Sequence, residues 1–301
     1  MTAAHSGTRG LAAGIAAFGI WGLFPLYLHP LSGVPATQII AHRIAWSCLI
    51  LLGWMALRGD LGRLTATLAN PALLGRLTLT ALLISGNWLL YVWGVTHAHI
   101  VETSLGYYIN PLVNVVLGVV VLHERLNRAQ WIAIALAAIA VGYLTVLAGR
   151  PPWIACTLAV SFSLYGFVRK VISVEALPGL ASETLLLAPL AVAYLLWCQA
   201  SGTGALGAAG TAVSALLIGS GLVTAIPLLL FAYGARRLPY STVGVLQYIA
   251  PSLQLACGVL VYHEHFGLER GVGFALIWAA LLVYAADGLW RARVAPRMQS
   301  A

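Results

Sequence analysis

Amide, phenol and carboxyl groups recur at helical spacing in residues 102 to 126, ETSLGYYINPLVNVVLGVVVLHERL. At 100° per residue, Thr103, Tyr107, Asn110, Asn114 and Gly118 share one stripe of a helix. The run around them is apolar enough to cross a bilayer, where an unpaired amide is costly, so the stripe is expected to face protein or a water-filled cavity. Pro111 supplies no backbone donor and leaves the carbonyl of Tyr107, four residues earlier, free for a ligand. Two accounts stand side by side: a substrate-lining stripe with a hinge, and amides that glue helices together around a tolerated proline kink. Charged groups raise the same question. At 1.5 Å per residue, Arg43 lies about 9 Å and Glu102 about 5 Å inside the same end of their spans. Buried charges are rarely kept without a partner, so Arg43 and Glu102 are expected to pair. The pair would either lock two helices or form a site for a carboxylate or polar ligand, with Glu102 or His42 exchanging a proton.

The elements that must position these groups follow from composition. Of the 301 residues 61% are hydrophobic and 8% charged, and the mean hydropathy is +0.92, which predicts an all-α integral membrane protein. Ten apolar runs of spanning length are expected, at 10–28, 37–57, 74–95, 99–122, 129–147, 151–168, 180–199, 211–234, 240–262 and 268–290. The net charge of +8 comes from residues scattered singly and in pairs between spans, which argues against nucleic acid as a partner. With the N-terminus inside, 13 basic residues fall on the cytoplasmic side and two, Arg150 and Arg270, outside, so both termini are expected in the cytoplasm. Cys48, Cys156, Cys198 and Cys257 lie on different spans without metal or redox spacing and read as small buried hydrophobes. No metal or cofactor is expected. Residues 58–71, RGDLGRLTATLANP, carry leucines at helical spacing and fit either a helix lying on the inner membrane surface or an amphipathic connector.

A shift of 140 positions lays YINPLVNVVLGVVVLHE (108–124) on YIAPSLQLACGVLVYHE (248–264), with Pro111 on Pro251, Gly118 on Gly258 and His123-Glu124 on His263-Glu264. The chain is therefore expected to hold two five-span repeats, 1–148 and 149–295, with a cytoplasmic tail at 296–301. An odd number of spans per repeat inverts the second copy, a construction used by secondary transporters that bind substrate where the repeats meet. On the second copy Gln247, Gln254 and Gly258 form the matching stripe, and Pro251 is the matching hinge. Asn87, Trp88, Tyr91, Tyr165 and Tyr248 complete the expected substrate-binding set with His42, Arg43, Glu102, Tyr107, Asn110, Asn114, Gln247 and Gln254. Glu183 and Asp287 are expected in interfacial salt bridges near Arg169, Lys170 and Arg291.

The run GNWLLYVWGVTHAHIVETSLGYYINPLVNVVLGVVVLHERLNRAQW, with AHRIAWS at 41–47, LYGFVRKVISVEA at 164–176 and LQYIAPSL at 246–253, resembles the RarD-type branch of the EamA family, in the drug/metabolite transporter superfamily. The resemblance covers about residues 10–293. It implies a bacterial inner-membrane permease, often an exporter, of ten helices in two inverted repeats, acting on small metabolites or drugs. The family's glutamate before AHR is Gln38 here, and the glycine before the glutamate at the end of the fourth span is His123. Glu102, Glu183 and Asp287 match its pattern. The only lysine, Lys170, follows no glycine-rich loop, which excludes ATP-driven pumping by this chain alone, and HExxH, GxSxG and paired span aspartates are missing. The expected function is a secondary carrier, with small-molecule substrate, lipid bilayer and protons as partners. A scaffold or regulatory component and a channel-like facilitator stay open as alternatives.

Overall fold

The computed structural model describes residues 2–123, 126–172, 174–235, 237–238, 243 and 246–298, and all regular structure among them is helical. Glu124, Arg125 and Arg236 lie outside the described residues, as do the side chains of Lys170, Arg291, Arg293 and Arg297. The elements are α1 (Thr2–Gly22), α2 (Phe24–Leu28) with a 3-10 turn (His29–Leu31), α3 (Ala36–Leu57), α4 (Leu61–Leu68), α5 (Pro71–Thr96) and α6 (Ile100–Leu122). There follow α7 (Arg128–Ala148), α8 (Trp153–Val171), α9 (Ala176–Ala200), α10 (Thr211–Ala235), α11 (Ile249–Ala256) running into a π-helical turn (Cys257–Val261), and α12 (Leu268–Met298). Seven of these are long and apolar enough to cross a membrane, or eight if α1 and α2 form one span bent by 44°. Trp153–Arg169 and Ile249–Val261 are shorter apolar helices, and most of the first part of the expected span 240–262 lies outside the described residues. Helix α12 continues to Met298, past the expected boundary of the tail.

Local sequence sets the helix ends. Asn70 accepts from the backbone N–H groups of Ala72 and Leu73, with Pro71 at the first helical position of α5. Asn127 and Gln130 form a capping box at the start of α7, and Gly149 ends it in the left-handed region at φ 66°. The expected symmetric hinges are revised. Pro111 lies inside the continuous α6, whereas Pro251 is the third residue of α11, where a missing N–H costs no helical bond. The bend between α1 and α2 falls beside Pro25, and Pro189 and Pro227 sit inside α9 and α10, three prolines absent from the expected hinge set.

Small residues let the helices approach closely, as expected where lipid offers no hydrophobic drive for association. Helix α6 packs on α8, α3 lies against both α9 and α10, α1 against α10 and α11, and α7 against α12. A Cβ at Gly106 would sit 2.8 Å from the Ala155 carbonyl, and one at Gly221 2.6 Å from Trp46. Large apolar side chains including Leu82, Val120, Val146, Leu190 and Leu282 remain exposed, as on a surface that meets lipid. Helix α4 is an amphipathic connector that buries Leu64 against Leu51, Met55 and Leu180, with Arg63 bridging Asp60 and Glu175.

One end of the bundle is tied together by polar contacts between distant segments. Glu264 accepts from the backbone N–H groups of Ile100 (2.6 Å) and Val101 (2.8 Å), capping α6. Glu102 accepts from Ile154 N at 3.1 Å and so caps α8. Gln38 donates to the Thr203 carbonyl at 2.8 Å and accepts from Ala205 N at 2.9 Å. His29 stacks on Tyr262, whose hydroxyl donates to the Pro25 carbonyl at 3.4 Å.

The α6–α8 contact yields a direct test. Gly106→Ala forces Ala155 and Leu158 to move and should lower stability by about 1–3 kcal/mol, the usual cost of overpacking. Gly142→Ala on α7, where a Cβ meets nothing within 4 Å, should leave the melting midpoint in detergent unchanged or slightly raised. Equal midpoints for the two variants would remove this account of the interface.

Candidate functional site

The most unusual group in the bundle is Arg43. It stands on α3 with 5% of its surface exposed, and its Nε donates to Thr224 Oγ1 on α10 at 3.1 Å. The guanidinium lies 4.7 Å from the ring centre of Phe24 on α2 and 4.8 Å from that of Trp88 on α5. Its Nη1 is buried without a hydrogen-bond partner among the described residues. Tyr27, Tyr91 and Tyr107 are close enough to act on its charge electrostatically. The Tyr91 hydroxyl is also buried and unpartnered, while Tyr27 donates to the Leu216 carbonyl. Rings of Phe24, Tyr91, Tyr107 and Phe162 follow one another at 5.7 to 6.2 Å between centres, continuing the aromatic wall onto α8.

The expected pairing of Arg43 with Glu102 is corrected. No carboxylate among the described residues comes within 4.0 Å of Arg43, and Glu102 is spent on the first turn of α8. Compatible depth was satisfied, but the two side chains leave their helices toward different neighbours. His42 also turns away: it is 3% exposed and lines a cavity of about 270 Å³ between α3 and α9, with Gln38, Trp46 and Gln199.

The remaining expected site residues divide into groups. Asn87 donates to the Leu158 carbonyl (3.0 Å) and Ser161 Oγ (2.9 Å), and its Oδ1 lies 3.5 Å from the Tyr107 hydroxyl, so it fixes α5 to α8 beside the Arg43 cage. Asn110 is buried and takes a hydrogen bond from Ser163 on α8. Asn114, one turn on, is exposed and makes no hydrogen bond among the described residues. Gln254 donates to the Trp21 carbonyl at 3.1 Å, at the α1–α2 bend, and its Oε1 is buried without a partner. Tyr248 stacks on Tyr108, whose hydroxyl pairs with Ser252 at 2.7 Å. Tyr248 therefore belongs to the α6–α11–α12 cluster and not to the cage, and Gln247 precedes it in the turn before α11.

Tyr165 belongs to a second buried cluster. Glu183 on α9 is 1% exposed; it accepts from Thr80 Oγ1 at 2.7 Å and Tyr165 OH at 3.3 Å, and lies 3.7 Å from Arg169 Nε. The expected interfacial bridge is thus a buried one. Gly179 leaves room for it, since a Cβ there would lie 2.0 Å from Arg169 Nη1. Asp287 accepts from Asn127 at 2.7 Å at the start of α7. The residues missed from the sequence are Phe24, Thr224, Thr80, Ser163 and Glu264, mostly single polar groups in apolar runs with no motif around them.

Two double-mutant cycles separate these geometries. Arg169→Met and Glu183→Gln should each destabilise, while the double variant loses less than their sum, with a coupling of about 0.5–3 kcal/mol. Arg43→Met and Glu102→Gln should add to within about 0.5 kcal/mol, since they share no partner. Thermal midpoints of the six variants in detergent decide both.

Comparison with known proteins agrees with this architecture. Residues 8–146 match the model of the EamA-like transporter family. The chain is 46% identical to Protein RarD of Streptomyces exfoliatus, over 97% of this chain and 93% of that protein. It is 41% identical to Protein RarD of Escherichia coli, over 95% and 96% of the two chains, and 44% identical to an uncharacterized transporter of Pseudomonas aeruginosa, over 94% and 95%. A solved crystal structure shares the fold at a TM-score of 0.61 with 21% identity, covering 91% of this chain and 96% of that one. A buried polar site inside a helical bundle and relatives matched along nearly their whole length lead to one conclusion: the chain belongs to the EamA-like transporter family and is a multi-pass transporter of the inner membrane.

Proposed function

We propose that the chain is a secondary transporter that moves a small polar or amphiphilic metabolite or drug out of the cell by alternating access, in ten spans arranged as two inverted five-span halves. One observation carries this reading: the unpaired Arg43 of the first half is held by Thr224 of the second, 181 residues away, where α2, α3, α5 and α10 meet. Substrate sites of inverted-repeat carriers lie at such a meeting of halves. The repeat also has a backbone echo, since the aligned His123 and His263 both adopt the left-handed conformation, at φ 54° and 53°. Left-handed non-glycine residues are uncommon, which makes the coincidence informative.

In this reading the polar ties at Gln38, Glu264 and Tyr262 close the outer side, and the exposed Asn114 faces an opening toward the cytoplasm. Both termini lie in the cytoplasm, on the side where the basic residues gather. Transport requires the outer ties to break and the inner half of the bundle to close. Glu183, a buried acid with three neighbours in reach, is the group that would carry a coupling proton.

Cells producing the chain should release a small set of compounds into the medium that cells with the Arg43→Met variant retain, as read by profiling of both compartments. Sealed vesicles should accumulate those compounds against a gradient. Equal profiles for wild type, variant and empty control would favour a scaffold, and equilibration without accumulation a channel. Orientation is tested with Ser32→Cys and Ala208→Cys, both at exposed positions, which should react with an impermeant reagent from outside, while the exposed Thr65→Cys should not. Reversed labelling would end the topology.

A further inference from the structure

We propose that Arg43 is an anion subsite, binding the carboxylate of a small organic monoanion whose planar apolar body lies against Trp88, Tyr91 and Tyr107. The inference rests on the transporter reading above and names the substrate class of that site.

A guanidinium is not deprotonated in proteins and carries five N–H donors. Among the described residues Arg43 makes a single hydrogen bond, from Nε to the neutral hydroxyl of Thr224. Two aromatic rings stabilise the cation in part, but rings accept no directed pair of N–H bonds. A buried cation without a counter-charge is among the most costly arrangements a protein can hold. No described carboxylate relieves it: Glu102 and Glu264 cap helices, and Glu183 is paired with Arg169.

A second orphan points to the same ligand. The Tyr91 hydroxyl is buried and unpartnered, on a different helix from Arg43 and near enough to act on it electrostatically. A carboxylate offers two oxygens, one for the guanidinium edge and one for the phenol, and so would satisfy both orphans at once. Asn87 is not available for this task, because its amide donors are used by Leu158 and Ser161.

The charge and shape of the ligand follow from the surroundings. The groups shown in contact with Arg43, Phe24, Trp88 and Thr224, are all neutral, and the ionisable groups that act on it are tyrosines. A dianion would leave one charge uncompensated in a low-dielectric site, so a monoanion is favoured over phosphate. The walls are aromatic, with Trp88 and Tyr107 partly exposed and Phe24 and Tyr91 buried, which suits a flat apolar body entering past the former pair.

The test uses the purified full chain in neutral detergent, with phenylacetate and indole-3-acetate as probes, their neutral amides as controls, and thermal stabilisation and tryptophan fluorescence as readouts. The acids should bind at least about tenfold more tightly than the amides, the difference expected for one charge-assisted interaction. Arg43→Met should abolish that preference and Arg43→Lys should keep part of it. Tyr91→Phe should weaken binding of the acids without lowering the melting midpoint, since it removes an unsatisfied group. If Arg43→Met fails to fold, Arg43→Lys and Tyr91→Phe decide the matter alone. Equal binding of acids and amides, no binding of either acid, or Tyr91→Phe binding like wild type would overturn the proposal. Tighter binding of inorganic phosphate, chloride or phosphatidylglycerol micelles than of the acids would overturn it too, assigning the site to an inorganic ion or a lipid headgroup. Release of only neutral compounds by producing cells would sink this inference while leaving the transporter reading intact, whereas the absence of any release would remove both.

Discussion

In hydrocarbon each polar group must find its partner inside the protein, and this constraint organises the whole bundle. Four of its described acids within or near the spans are committed to partners. Glu102 and Glu264 neutralise the exposed N–H groups at the starts of α8 and α6, where the helix dipole also favours a negative charge. Asp287 holds the α7 start through Asn127, and Glu183 pairs with Arg169. Carboxylates placed at helix starts do two things together: they satisfy donors that lipid cannot, and they fix which helix ends lie side by side. Gln38 does the same for the 201–210 loop with a neutral amide.

Small residues supply the complementary constraint. Polar ties between backbones demand close approach, and Gly106, Gly221, Gly234 and Gly273 lie where a Cβ would collide with the facing helix. The long apolar side chains are then free to face lipid or fill four clusters between the ties. Helix positions are thus set by a few polar and glycine contacts, with the apolar mass following.

Much of this was legible in the sequence because hydropathy is a property of runs. Spans such as 37–57, 99–122 and 129–147 match α3, α6 and α7 within a few residues. The neighbourhood of Trp88, Tyr91 and Tyr107 with Arg43 was also within reach, since each is a polar or aromatic interruption of such a run. What could not be read was azimuth between helices. Depth along a span follows from counting residues, but the direction in which Arg43 leaves α3 depends on how α3 is turned against α9 and α10. That turn is fixed by contacts such as Gly221 on Trp46, which pattern does not announce. The same gap hides that Tyr248 packs against Tyr108 and not beside Arg43. Pro251 stands in a first turn just after the turn at Gln247 and Tyr248, a setting that the apolar run around it does not announce.

Two arginines inside the bundle, Arg43 and the less buried Arg169, show what distinguishes a structural charge from an available one. Arg169 meets an acid that Thr80 and Tyr165 also hold, and Gly179 is small because the guanidinium fills the space a side chain would take. The bundle has been shaped around that pair. Arg43 is more deeply buried, yet what surrounds it is aromatic and neutral, and among the described residues it meets no acid, whereas Arg169 does. Had the role of Arg43 been to fasten helices, an acid one turn away on α5 or α10 would have served at lower cost. In the proposed reading, the buried cation without a fixed counter-charge is stable in full only when a bound anion supplies that charge. Such conditional stability is what a carrier needs, because it ties the energy of the closed bundle to the presence of its cargo.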